Sequence, residues 1–168
     1  MELNTNKKTN YRWIVCGFLW VAVAVNYVDR TALSAATPII MKEFNIDGTE
    51  MGIIMAAFFW AYALLQVPMG YIADKFGQRI VYSIAVAWWS IAQMCIAVCS
   101  SLFGFVTARL FLGVGEAGSY PCNVGVVSKW FPKHERSRAT AIFDSASKFG
   151  NAFAMPVVVG LITMFTWH

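Results

Sequence analysis

Three pairs of opposite charges stand inside otherwise apolar sequence: Asp29 with Arg30, Arg109 with Glu116, and Asp144 with Lys148. A charge at the centre of a bilayer costs about 2.5–3.5 kcal/mol on the insertion scale, so side chains of this type need partners or a water-filled cavity. Spacing decides which partners are available. Asp29 and Arg30 are neighbours, about 100° apart around a helix, so they do not simply cancel each other. Arg109 and Glu116 lie two turns apart on a stripe that also holds Leu112, Tyr120 and Asn123. Asp144 and Lys148 are four residues apart with the acid first, the favourable order for an intrahelical pair. They read first as a self-neutralising pair and second as a substrate contact through Lys148. Asp29, Arg30, Arg109 and Glu116 together sum to zero charge. Each arginine can be held by a carboxylate. Protonating a carboxylate frees an arginine, whose planar fork can then take an anion by two hydrogen bonds.

The elements that must position these groups are long apolar helices. The chain has 168 residues, of which 58% are hydrophobic and only 13% charged, and its mean hydropathy is +0.57. A soluble domain carries about 25% charged residues, so an integral membrane protein is expected. Five spans are predicted, at about 11–44, 49–73, 79–100, 103–130 and 137–165. In the first, Asn26, Arg30, Ser34 and Thr37 recur at four, four and three residues and share a face. In the second, Tyr62 and Gln66 share a face, and Pro68 and Gly70 suit a bend with close packing. Asp47 or Thr49 can cap the second helix. In the fourth, Gly113, Gly115, Ala117 and Gly118 permit close backbone approach, and Pro121 offers a bend beside Asn123.

Other classes are disfavoured. Cys16, Cys95, Cys99 and Cys122 all fall in apolar segments and read as buried free thiols, because no histidine or second pair completes a metal site. No cofactor, metal or catalytic residue is expected. A membrane-embedded enzyme lacks a nucleophile–base pair in the spans. No aromatic-interleaved basic patch points to nucleic acid. The basic start resembles that of a signal peptide, but the following apolar run is too long and an uncleaved first helix is expected. His134 falls in a basic loop, 131–138, and reads as solvated. Lys7, Lys8, Arg12, Lys75, Arg79, Lys129, Lys133, Arg136 and Arg138 lie on one side, against Lys42 alone on the other. This bias places the N-terminus in the cytoplasm.

The segment Gly70-xxx-Asp74-Lys75-Phe76-Gly77-Gln78-Arg79 resembles the loop between the second and third helices of the major facilitator superfamily. Arg109-xxx-Gly113-Val114-Gly115-Glu116-Ala117 resembles its fourth-helix motif. Asn26-Tyr27-Val28-Asp29-Arg30 and Trp130-Phe131-Pro132-Lys133-His134-Glu135-Arg136 resemble the anion:cation symporter family, nearest to bacterial carriers of sugar acids such as galactonate, glucarate and hexuronates. The resemblance implies an all-α polytopic fold and the first five helices of a six-helix half, cut from a twelve-helix protein whose C-terminal half is missing. It implies proton-coupled symport of a small organic anion across the bacterial cytoplasmic (inner) membrane. It assigns proton coupling to Asp29 and Glu116 with Arg109 as their balance, and substrate binding to Arg30 and Tyr62. Beside these, Tyr27, Gln66, Asn123, Ser147 and Lys148 are candidate substrate-binding residues. Gly70, Asp74, Gly77 and Arg79 match a conformational latch. Gln78 departs from the usual base there, and Ser147-Lys148 departs from the usual Gln and non-basic residue. Another carboxylate of the same family, aromatic or hexuronate, is the alternative substrate. A small non-transporting scaffold or pore is the alternative class.

Overall fold

The computed structural model describes residues 11–165, and every regular element in them is helical. Lys7 and Lys8 of the charge bias lie outside these residues. Helix α1 is Tyr11–Phe44, α2 Gly48–Phe76, α3 Gln78–Ala97, α4 Leu102–Glu116, α5 Ser119–Trp130 and α6 Lys133–Phe165. By length and composition α1, α2 and α3 are each able to cross a membrane.

The predicted fourth span is divided. At 15 and 12 residues, α4 and α5 are each about 22 and 18 Å long, short of a bilayer core of about 30 Å. Ala117 and Gly118 between them keep right-handed helical dihedrals, so the two helices form one span with an interruption. Pro121 explains its position. It has no N–H to give the carbonyl of Ala117, and its ring crowds that carbonyl. The flanking bonds Ala117 N–Gly113 O and Cys122 N–Gly118 O both survive at 3.1 Å.

Local chemistry sets the other ends. Asp47 caps α2 in a reciprocal box with Glu50, at 2.7 and 3.0 Å. Gly77 ends α2 at φ +93°, a conformation that favours glycine. The sixth helix starts at Lys133, four residues before the predicted Ser137. Pro132 suits a helix start and Glu135 complements its positive end, so most of the expected loop is helical and His134 lies exposed in its first turn. The outer surface is apolar, with Phe18 and Val98 at 72% and 81% exposure. Cys16 and Cys122 are buried, whereas Cys95 is exposed and Cys99 half-buried; all four are free thiols. The expectation of burial fails for Cys95, which lines an open groove between α3 and α4 together with Thr107 and Phe111.

Helix α1 packs chiefly on α6, while α2 and α3 pack chiefly on α4. The backbones of α1 and α4 hardly meet. A seam therefore runs between an α1–α6 group and an α2–α3–α4 group, bridged by α5. Glycines bring each partner close. A Cβ on Gly150 of α6 would lie 2.8 Å from Tyr27 Cβ and 2.9 Å from Ala24 O on α1. One on Gly113 of α4 would lie 2.6 Å from Phe58 O on α2.

Candidate functional site

Across this seam Arg30 Nε donates to Glu116 Oε2 at 2.7 Å. Glu116 is wholly buried and the Arg30 side chain is 18% exposed. Sequence spacing places Glu116 with Arg109, yet the ion pair joins it to α1. Three aromatic rings surround the Arg30 guanidinium, with centroids 4.6 Å away for Tyr62, 5.0 Å for Phe58 and 5.1 Å for Tyr27. Rings attract a guanidinium through its face, leaving the hydrogen-bonding edge free for a carboxylate. The cage can therefore hold Arg30 whether Glu116 or another anion occupies that edge.

Arg109 is buried, and its Cζ lies 5.8 Å from the Phe58 centroid. Phe58, 2% exposed and stacked on Tyr62, thus serves both guanidinium groups. It is absent from the predicted site, although it precedes Tyr62 by one helical turn and Gln66 by two, a spacing that puts all three on one face. Arg109 Nε and Glu116 Oε1 have no hydrogen-bond partner among the described residues. Asp29 is half-buried and belongs to no ion pair within 4.0 Å among them.

A chamber of about 30 Å³ adjoins the pair. It is lined by Asn26, Tyr27 and Arg30 of α1, Tyr62 of α2, Ser119, Tyr120 and Asn123 of α5, and Phe143 and Asp144 of α6. Four predicted binding residues, Tyr27, Arg30, Tyr62 and Asn123, meet there. Gln66, Ser147 and Lys148 are not among the lining residues. The Ser147 hydroxyl donates to its own helix at Asp144 O, 2.7 Å away. Asp144 and Lys148 form no ion pair among the described residues, which corrects the self-neutralising reading. Both are exposed, where such a pair gains little over water, and Asp144 borders the chamber instead.

At the α2–α3 corner, Gln78 Nε2 donates to Asp74 Oδ1 at 3.1 Å and Lys129 Nζ donates to Gln78 Oε1 at 2.5 Å. The neutral Gln78 relays Asp74 to a base on α5, while Arg79 lies exposed. In the sequence Lys129 contributes only to the charge bias that sets orientation. Gly70 approaches Pro121, to which its Cβ would lie 3.5 Å. Arg136 donates to the carbonyls of Ser128 and Phe131, at 2.6 and 3.0 Å, and so closes the end of α5.

A bundle of membrane-spanning helices with a caged arginine and a sealed carboxylate midway along its seam defines a multi-pass membrane protein with a polar centre. Residues 19–168 match the Major Facilitator Superfamily. The chain belongs to that superfamily. Among curated relatives it is 34% identical to a D-galactonate transporter of Escherichia coli, over 100% of this chain and 39% of the relative. It is 33% identical to the probable galactarate/D-glucarate transporter GudP of Bacillus subtilis, over 96% of this chain and 37% of the relative. With GudP of Pseudomonas putida it shares 37% over 85% of this chain and 33% of the relative. The chain thus spans about two fifths or less of these relatives' length. Two inward-facing crystal structures of a bacterial homologue of the human lysosomal transporter Spinster share the fold. The unoccupied form gives a TM-score of 0.83 at 24% identity, covering 88% of this chain and 31% of that one. The occupied form gives 0.88 at 23% identity, covering 94% and 34%.

Proposed function

We propose that this chain forms the first five spans, residues 1–168, of a longer transporter that carries a small organic anion, a sugar acid, together with protons. The observation that supports this most is the 2.7 Å bond between Arg30 and a wholly buried Glu116. A buried ion pair gains little stability over an apolar substitute, but losing one partner is costly. Such a pair is suited to exchange. A proton arriving at Glu116 releases the edge of Arg30, and an anion takes its place. Proton and anion enter together, so the site stays neutral while it crosses a low-dielectric region. Asp29 supplies a second carboxylate, with Arg109 as the balancing cation. The relatives' names support the sugar-acid class. The superfamily's inverted-repeat plan supports a midplane site completed by a C-terminal half. The lysine and arginine bias supports a cytoplasmic N-terminus in a bacterial inner membrane.

The test is uptake of D-galactonate by the full-length protein in proteoliposomes. An inward proton gradient should drive accumulation, uptake should acidify the lumen, and a protonophore should abolish accumulation. Full rate and full accumulation without a proton gradient or potential would refute proton coupling. Accumulation that follows a Na+ gradient would transfer the coupling to that ion.

A further inference from the structure

The ion pair accounts for the Arg30 side of the chamber but not for two amides that line it. Asn26 is 4% exposed and Asn123 1% exposed. Asn26 Nδ2 and Asn123 Oδ1 have no hydrogen-bond partner among the described residues. Leaving a buried donor or acceptor unpaired is destabilising, and native proteins keep few. The two orphan groups are complementary, one a donor and the other an acceptor, and both residues line the same chamber of about 30 Å³; Asn123 also borders the cavity of Tyr82, whose hydroxyl is likewise without a partner among the described residues.

The chemistry narrows the occupant. The volume admits one or two groups the size of a water molecule. An ammonium cannot accept from Asn26 Nδ2 and would meet the like charge of Arg30. A carboxylate cannot donate to Asn123 Oδ1 and would meet Asp144. A hydroxyl both accepts and donates, and it is neutral. Asn26 lies one helical turn before Arg30, so both can engage one ligand.

We infer that Asn26 and Asn123 form a hydroxyl-reading subsite, which takes one hydroxyl of a polyhydroxylated acid whose carboxylate is held by Arg30. The inference rests on the proposed anion site. A site built to hydrogen-bond a hydroxyl discriminates against the analogue that lacks it, because its own polar groups are then left unpaired.

The experiment is competition binding to the purified full-length protein. D-galactonate is compared with galactonates that each lack one hydroxyl. One deoxy analogue should bind at least about tenfold more weakly than D-galactonate to the wild type, the loss of one buried hydrogen bond. Asn26→Ala and Asn123→Ala should weaken D-galactonate by a similar factor yet leave that one analogue unchanged. Asn26→Ser should restore part of the difference. Thermal unfolding without ligand should stay level or rise in Asn26→Ala, because an unpaired buried group has gone.

Equal weakening of D-galactonate and every analogue in the variants would show a structural role and overturn the inference. Equal binding of all analogues to the wild type would overturn it without any variant, leaving at most a water between the amides. A folded wild type that binds no sugar acid would overturn the anion site as well. Normal D-galactonate binding without hydroxyl preference would overturn the subsite alone.

Discussion

Two Arg–Glu pairs tie this bundle together, and they differ in place more than in geometry. Arg12 meets Glu135 at 2.9 Å where α1 and α6 begin, with side chains 17% and 22% exposed. Arg30 meets Glu116 at 2.7 Å midway along the seam, with Glu116 wholly buried. Each arginine also lies over an aromatic ring: among the described residues Arg12 lies over Phe131, at 5.9 Å, and Arg30 over Tyr27, Phe58 and Tyr62. The outer pair joins two helices that already pack closely. The inner pair joins α1 to α4, whose backbones hardly meet. A bond that adds to an existing interface can be fixed. A bond between helices that meet through side chains, as Phe44 meets Phe105, and not through closely packed backbones can open with less repacking, which suits a switching site.

The comparison predicts unequal losses. The largest should follow Arg30→Leu, which leaves Glu116 buried without its partner, at a cost of about 3–5 kcal/mol. Thermal unfolding of the full-length protein at neutral pH measures it. Arg30→Leu combined with Glu116→Leu should recover most of the loss. A double variant no better than the single would mean that the pair is not what holds the seam.

Next comes Gly113→Ala, which must separate α4 from α2 at Phe58 O, 2.6 Å from the new Cβ. Overpacking of this kind costs about 1–3 kcal/mol. Gly52→Ala, whose Cβ would meet nothing within 4 Å, is the control and should change little. Equal effects at both sites would remove the close approach as the cause.

Phe58→Leu should have a smaller effect, about 0.5–2 kcal/mol, through loss of the ring that serves Arg30 and Arg109. It should weaken D-galactonate binding, whereas Phe58→Tyr should retain it. Retained affinity in Phe58→Leu would place the cage outside the binding chemistry. The smallest effects belong to the rim. Arg12→Leu should cost about 0.2–1 kcal/mol, reduced further by salt. Lys148→Met should be near neutral, since Lys148 is exposed and makes no ion pair among the described residues. A large loss in either variant would erase the contrast between rim and seam.

Much of this arrangement is legible in the sequence because burying charge is costly enough to be conspicuous. Arg30, Arg109 and Glu116 stand out in apolar runs for that reason, and their helices are identified by hydropathy alone. Partner choice is harder to read. Periodicity relates residues on one helix, so it links Glu116 to Arg109 and Asp144 to Lys148, whereas tertiary packing sends Glu116 to Arg30 and Asp144 to the chamber. Phe58 is overlooked because a phenylalanine in an apolar span carries no polar signal; only its distance from two guanidinium groups marks it. Asn26 is visible as a polar position, but its unpaired donor emerges only when α5 brings Asn123 to the same chamber. The break at Ala117 is foreshadowed by Pro121, one turn later in the sequence. The early start of α6 is obscured because charged residues in a first turn look like a loop.

In the proposed exchange an anion replaces Glu116 on Arg30 when Glu116 takes a proton. Proton uptake on ligand binding tests it most directly. Purified full-length protein in weakly buffered solution near neutral pH is titrated with D-galactonate while the pH is followed. The wild type should take up protons as it binds, and Glu116→Gln, which cannot take one there, should bind with the uptake reduced or lost. Wild-type binding of D-galactonate with no proton uptake, or uptake undiminished in Glu116→Gln, would contradict the exchange.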